Sequence, residues 1–226
     1  AEMRPLAQWL FDQGLVVIGA RLEGHGTSPW DLHVREWPEW LASVARAEQI
    51  AAGLVEKFVT IGFSTGGALS LIQSSVPARR RAGVVGVNVP VRFADPRMKL
   101  VPWLARANAL VGSLSTSDGL LAFNPNVSEH PEVNYASIPT AGLNQLLQVA
   151  AAVVKVPQLP VMPVLLLQGE GDPVVDPAGF EVLCEAYAHA QLTHALLPSE
   201  RHATIYVNDD GCWSHIQTFV ATLGML

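Results

Sequence analysis

At 226 residues the chain is the size of one ordinary domain, since single hydrophobic cores stop growing only beyond about 250 to 300 residues. Half of it is apolar and only 15% charged, which excludes a disordered chain. The net charge of −6, with no basic stripe, speaks against nucleic acid as a partner. No apolar run reaches the roughly 18 to 20 residues that cross a bilayer. The cysteines Cys184 and Cys212 are too few for a disulfide framework, so a reducing, cytoplasmic setting is expected. The chain opens on Ala1 without a start Met or a signal-peptide pattern, and further sequence is expected upstream.

In chain order, Met3 to Gln13 puts Leu6, Trp9 and Leu10 on one helical face and stops at Gly14. Leu15 to Ala20 is a short apolar run ending in Gly24-His25-Gly26, the pattern of a strand buried on both faces. A second helix is predicted over Trp37 to Ala52, a strand over Phe58 to Phe63 and a helix over Thr65 to Ser75, with Ser64 at the junction. Ala82 to Val89 reads as strand, Leu143 to Val154 as helix and Val164 to Gln168 as strand. Pro177 to Ala188 reads as a helix capped by Asp176, Leu192 to Leu197 as the last strand, and Asp210 to Leu223 as the last helix. Strands alternating with helices imply an α/β fold, a mostly parallel sheet covered on both faces.

Residues 90 to 140 break that alternation. They hold Met98, Leu100, Trp103, Leu104, Leu110, Leu114, Leu120, Leu121 and Phe123 with no strand pattern, and an apolar insertion of this kind reads as a lid. The expected organisation is therefore residues 1–89 as the first part of the core, 90–140 as the lid and 141–226 as the second part of the core. Leu104, Leu121 and Phe123 are the candidates for the wall of a pocket beneath that lid. Arg79, Arg80 and Arg81 read as a solvated turn, and Trp30, Trp37 and Trp40 as packing around the second helix. No cluster has metal-ligand spacing, and neither a metal nor a cofactor is expected.

Gly62-Phe63-Ser64-Thr65-Gly66 is G-x-S-x-G, a pattern that chance alone supplies now and then in a chain of this length. Its context sharpens it. A buried strand enters and a helix leaves, and flanking glycines permit the tight turn that lifts a serine hydroxyl above a sheet edge. A serine becomes nucleophilic only when a base takes its proton and a third group orients that base. In sheet enzymes built around this turn the order is Ser, acid, His, each in a loop after a strand. His25, His33 and His130 then come too early, while His189, His194 and His215 fall in predicted helices or a strand, which leaves His202. For the acid, Asp172 in Gln168-Gly169-Glu170-Gly171-Asp172-Pro173 is favoured. Asp176 is the rival, although Asp176-Pro177 reads as a helix cap; Glu170 is weaker, and Asp95 and Asp118 lie in the insertion.

With these segments, and with Ala20-Arg21-Leu22-Glu23-Gly24-His25-Gly26-Thr27, the chain resembles the α/β-hydrolase superfamily over nearly its whole length, particularly bacterial carboxylesterases and monoacylglycerol-lipase-like enzymes. The resemblance implies a small helical lid and a serine hydrolase of carboxylic esters or acylglycerols with an apolar acyl group, working through an acyl-enzyme. It also implies that His25 organises its loop, and that the Thr65 backbone N–H is one oxyanion donor. The second donor, with the first strands of the fold, would lie upstream of Ala1. An acyltransferase or thioesterase with the same residues, or a non-catalytic ligand-binding relative, are the alternatives. Oligomeric state is left open.

Overall fold

A computed structural model describes residues 2–114, 119, 121–155 and 162–226; Leu120 and Asp118 lie outside the described residues. The first helix, α1 (Arg4–Asp12), is followed by the short α2 (Pro29–His33) and the long α3 (Trp37–Leu54). Strand β1 (Phe58–Phe63) leads through Ser64 into α4 (Thr65–Ser74), and β2 (Arg81–Val87) follows. The insertion contributes a 3-10 turn (Pro96–Leu100), α5 (Val101–Leu114), β3 (Phe123–Pro125) and β4 (Ser137–Pro139). The chain then runs through α6 (Thr140–Val153), β5 (Pro163–Gly169), α7 (Ala178–Ala186), β6 (Gln191–Leu197) and α8 (Cys212–Thr222).

The main sheet has the order β1-β2-β5-β6 with every pairing parallel. Its inner strands are apolar throughout because both faces are covered, yet the pleat still divides them. Val84 and Leu166 pack on one face with Leu69 and Leu71 of α4, Val149 of α6 and Leu183 of α7. Val85, Leu165 and Leu167 pack on the other with Leu6 and Leu10 of α1 and Ile216 and Phe219 of α8. This is the α/β-hydrolase arrangement. Cys212 is buried and Cys184 partly so, and both are free thiols in helices. Among the described residues no helix is long and apolar enough to cross a membrane.

Four expectations need correction. Leu15 to Ala20 is irregular rather than a strand. Leu15 packs with the α1/α8 cluster and Leu22 with the α3/α4 cluster, so this segment passes from one face of the sheet to the other. An apolar run becomes a strand only where a neighbour takes its hydrogen bonds, and β1 pairs with β2 alone among the described strands. The insertion does contain strands, the three-residue antiparallel pair β3–β4, too short to show an alternation. In the arginine run only Arg79 is an exposed turn residue; Arg80 and Arg81 are not solvated. Arg81 is buried and bonds Glu48 through Nε at 2.9 Å and Nη2 at 2.5 Å, and Arg80 Nη1 donates to the last carbonyls of α3. Trp40 is buried as expected, whereas Trp30 is largely exposed and meets Phe123 edge-on.

Candidate active site

All four strands of the main sheet point their C-terminal ends at one rim, where open parallel sheets bind ligands. β1 delivers Ser64. Its backbone lies at φ 50, ψ −123, a conformation non-glycine residues rarely hold and which costs about 1–3 kcal/mol. The glycines explain how the turn is accommodated. A Cβ on Gly62 would lie 2.2 Å from the Gly66 carbonyl oxygen, and one on Gly67 would lie 3.0 Å from Val89. Gly66, by contrast, faces open space, so the tightest packing falls on Gly62 of the G-x-S-x-G pattern and on Gly67 just beyond it, not on Gly66. The Ser64 N–H donates to Val87 O at 2.8 Å, which pins the turn to β2.

β5 delivers Asp172, whose side chain is fully buried. Its carboxylate is held by its own loop: Oδ1 accepts the N–H groups of Val174 at 2.8 Å and Val175 at 2.9 Å. The loop after β6 brings His202 over the rim. Its Nδ1 lies 2.8 Å from Asp172 Oδ2, and its Nε2 lies 3.0 Å from Ser64 Oγ. A carboxylate only accepts hydrogen bonds, so Nδ1 carries the proton and Nε2 is free to accept from the serine hydroxyl. Phe63 packs against the imidazole, with ring centroids 4.9 Å apart. The structure thus brings Ser64, His202 and Asp172 into one hydrogen-bonded chain able to draw a proton from a hydroxyl.

Asp176, the rival acid, is elsewhere engaged. Its Oδ1 accepts the Ala178 N–H at the start of α7, and Oδ2 pairs with Arg92 at 3.1 Å. Glu170 is exposed. His25 is half-buried and donates from Nδ1 to Glu23 O at 3.1 Å; burial lowers its pKa, which suits a neutral ring that organises a loop. The pocket candidates are not gathered together. Leu121 is 64% exposed at positive φ, Phe123 stacks on His33 and meets Trp30 edge-on, and Leu104 is partly buried on α5.

Two residues that sequence reasoning missed hold His202 by its own peptide group. Asn88, fully buried at φ 47 after β2, donates from Nδ2 to His202 O at 2.6 Å and accepts the Gly169 N–H at 2.9 Å. Glu129, from the insertion, accepts the His202 N–H at 2.8 Å. Asn after an apolar strand carries a turn signal that could have drawn attention to residue 88. Glu129 carries no local signal. Among the described residues no group of His, Cys, Asp and Glu is placed to hold a metal ion.

The comparisons with known proteins agree with this architecture. A thermostable monoacylglycerol lipase of Bacillus sp. (strain H-257) is 26% identical over 201 residues, covering 89% of this chain and 77% of the lipase. A solved structure from the metagenome-derived lipolytic enzymes LipS and LipT superposes with a TM-score of 0.80 at 22% identity, over 98% of this chain and 88% of its own. The monoacylglycerol lipase of Paleococcus ferrophilus does so with a TM-score of 0.70 at 18% identity, with the same coverage of 98% and 88%. The sequence model of the family described as "Serine aminopeptidase, S33" matches residues 2–209. With a match spanning nearly the whole chain on an α/β-hydrolase sheet, the protein belongs to the serine aminopeptidase S33 family of hydrolases.

Proposed function

We propose that the protein is a serine hydrolase of carboxylic esters with an apolar acyl group, of the kind its lipase relatives are named for. The observation that carries this reading is the chain from Ser64 Oγ through His202 to Asp172, with links of 3.0 and 2.8 Å. In the first half-reaction His202 Nε2 takes the hydroxyl proton as Ser64 Oγ attacks the ester carbonyl, and Asp172 stabilises the imidazolium that forms. The carbonyl oxygen becomes an oxyanion beside the Thr65 N–H, which opens α4 and has no partner within the helix. Collapse breaks the C–O bond of the ester, and His202 returns the proton to the departing alcohol. Water then repeats the sequence on the acyl-serine, releasing the acid and restoring the hydroxyl.

The insertion, residues 90–140, is our candidate for the lid. It is tied to both rim loops: Tyr135 OH donates to Gly24 O at 2.9 Å and accepts from Thr27 N at 2.7 Å, and Glu129 binds the His202 loop. Leu100, Trp103, Leu110 and Leu114 within it are exposed apolar groups, a composition that fits an acyl chain better than a charged substrate. Leu104, Leu121 and Phe123 remain our pocket candidates within it. The test is labelling with a fluorophosphonate, together with hydrolysis of p-nitrophenyl butyrate. Wild type should label at Ser64 and turn over, and Ser64→Ala should do neither. Equal labelling of the two would sink the assignment.

A further inference from the structure

His202 is the residue whose side chain must be aimed best, and its backbone is gripped from two sides. From the core, Asn88 Nδ2 donates to its carbonyl at 2.6 Å and also to Thr204 Oγ1 at 2.9 Å. From the insertion, one carboxylate oxygen of Glu129 accepts the His202 N–H at 2.8 Å, and the other accepts the Ala203 N–H at 3.4 Å. The Asn88 side is rigid because that side chain is wholly buried and its amide bonds are all made.

The Glu129 side rests on a preorganised loop. Asn126 Nδ2 closes it by donating to Tyr135 O at 2.9 Å, and Asn134 Nδ2 crosses it to Ser128 Oγ at 2.9 Å and His130 O at 3.0 Å. The loop also lies flat on the segment beyond His202: His130 stacks on Tyr206 with ring centroids 3.7 Å apart and planes 23° apart. Tyr206 OH donates to Glu132 Oε1 at 3.5 Å. Loop 126–135 therefore touches the base loop at Glu129, His130 and Glu132, and the Gly24–Thr27 loop at Tyr135. The insertion is fastened to the site rather than merely draped over it.

We propose that Glu129 is a positioning residue for the reaction, acting through His202: it fixes the His202 backbone so that the imidazole meets Ser64 and Asp172 together, and so couples the seating of the insertion to the competence of the base. The inference rests on the reading of His202 as the base. Glu129 is exposed and contributes to no core cluster, so its loss leaves the fold intact while freeing one end of the clamp. Small misplacements of a reacting group cost about ten- to a hundred-fold in rate.

The experiment compares wild type, Glu129→Ala and Glu129→Gln. It measures kcat and KM on p-nitrophenyl butyrate per fluorophosphonate-titrated site, the melting temperature, and the low-field proton resonance of His202 Nδ1 bonded to Asp172. Glu129→Ala should lose about ten- to a hundred-fold in kcat with KM within about two-fold, keep its melting temperature and broaden the low-field resonance. Glu129→Gln keeps an acceptor for the His202 N–H and should recover most of kcat and the sharp resonance. A wild-type kcat and resonance in Glu129→Ala would overturn the proposal, as would Glu129→Gln being as impaired as Glu129→Ala. A wild type that neither labels nor hydrolyses would instead defeat the esterase reading, and the resonance would still decide the role of Glu129.

Discussion

Asp172 and Asp176 sit four residues apart with similar loop surroundings in sequence, yet only one faces the imidazole. Asp172 is buried, bonded by two backbone N–H groups and bound to His202 Nδ1, whereas Asp176 is spent on the start of α7 and on Arg92. Asp172→Asn keeps the shape but presents an amide to Nδ1, which favours the wrong tautomer and leaves Nε2 carrying the proton it should accept. On the proposed mechanism that change should cost about 10⁴-fold in kcat, and Asp176→Asn far less. Activity of Asp172→Asn within about ten-fold of wild type would remove Asp172 from the role of orienter. Ser64, His202 and Asp172 were legible one residue at a time, because each follows a strand in an order the chemistry imposes. Asn88 and Glu129 were not, since their contacts with His202 span 114 and 73 residues and depend on how the loops fold back.

The elements were readable where an apolar run has at least one strand to pair with. β1 lies over Phe58–Phe63 as its β-branched run implies, and β5 and β6 extend their predicted cores by a residue or two. Leu15 to Ala20 has the same apolar character but lacks the pairing that would turn it into a strand. Arg81 shows the converse, because its burial depends on a partner 33 residues away that no local pattern announces. That partner, Glu48 on α3, also accepts from Thr60 Oγ1 of β1 at 2.6 Å, while Arg81 Nη1 donates to Ser74 O and Val76 O after α4. One ion pair thus ties α3, β1, β2 and the end of α4 together. Arg81→Met would strand a buried carboxylate and should destabilise by about 3–5 kcal/mol. For a domain of this size that lowers the melting temperature by roughly 6 to 20 °C. Adding Glu48→Gln should return much of the loss, because no unpaired charge then remains, and kcat per titrated site should be unchanged in both variants. A single Arg81→Met variant that melts with wild type would show the pair to be idle.

At the scale of the molecule, the sheet grades from a sealed centre to open margins. Val84, Val85, Val87 and Leu165 to Leu167 in β2 and β5 are almost completely buried, and each of those strands has a neighbour on both sides. In β1 the central Val59, Thr60 and Ile61 stay half-buried, and in β6 most residues are exposed. The irregular segment 15–20 has Val16 66% exposed and Val17 36%. Local opening free energies follow such differences, because a strand with one ladder and little apolar cover opens without disturbing the rest. Native-state hydrogen exchange should therefore find the slowest amides in β2 and β5, earlier exchange in β1 and β6, and the earliest in residues 15–20. An exposed apolar edge is also a template for another strand. Repeating the exchange at increasing protein concentration separates the two effects: protection confined to β2 and β5 at every concentration is expected of a chain whose β1 margin stays open. If β1 amides instead gain protection as concentration rises, in step with a larger sedimentation coefficient, the margin is being covered by a second copy. If they match β2 even at high dilution, the open-edged sheet is not the state in solution, and the segment from Leu15 to Ala20 has found the strand pairing that its apolar sequence first suggested.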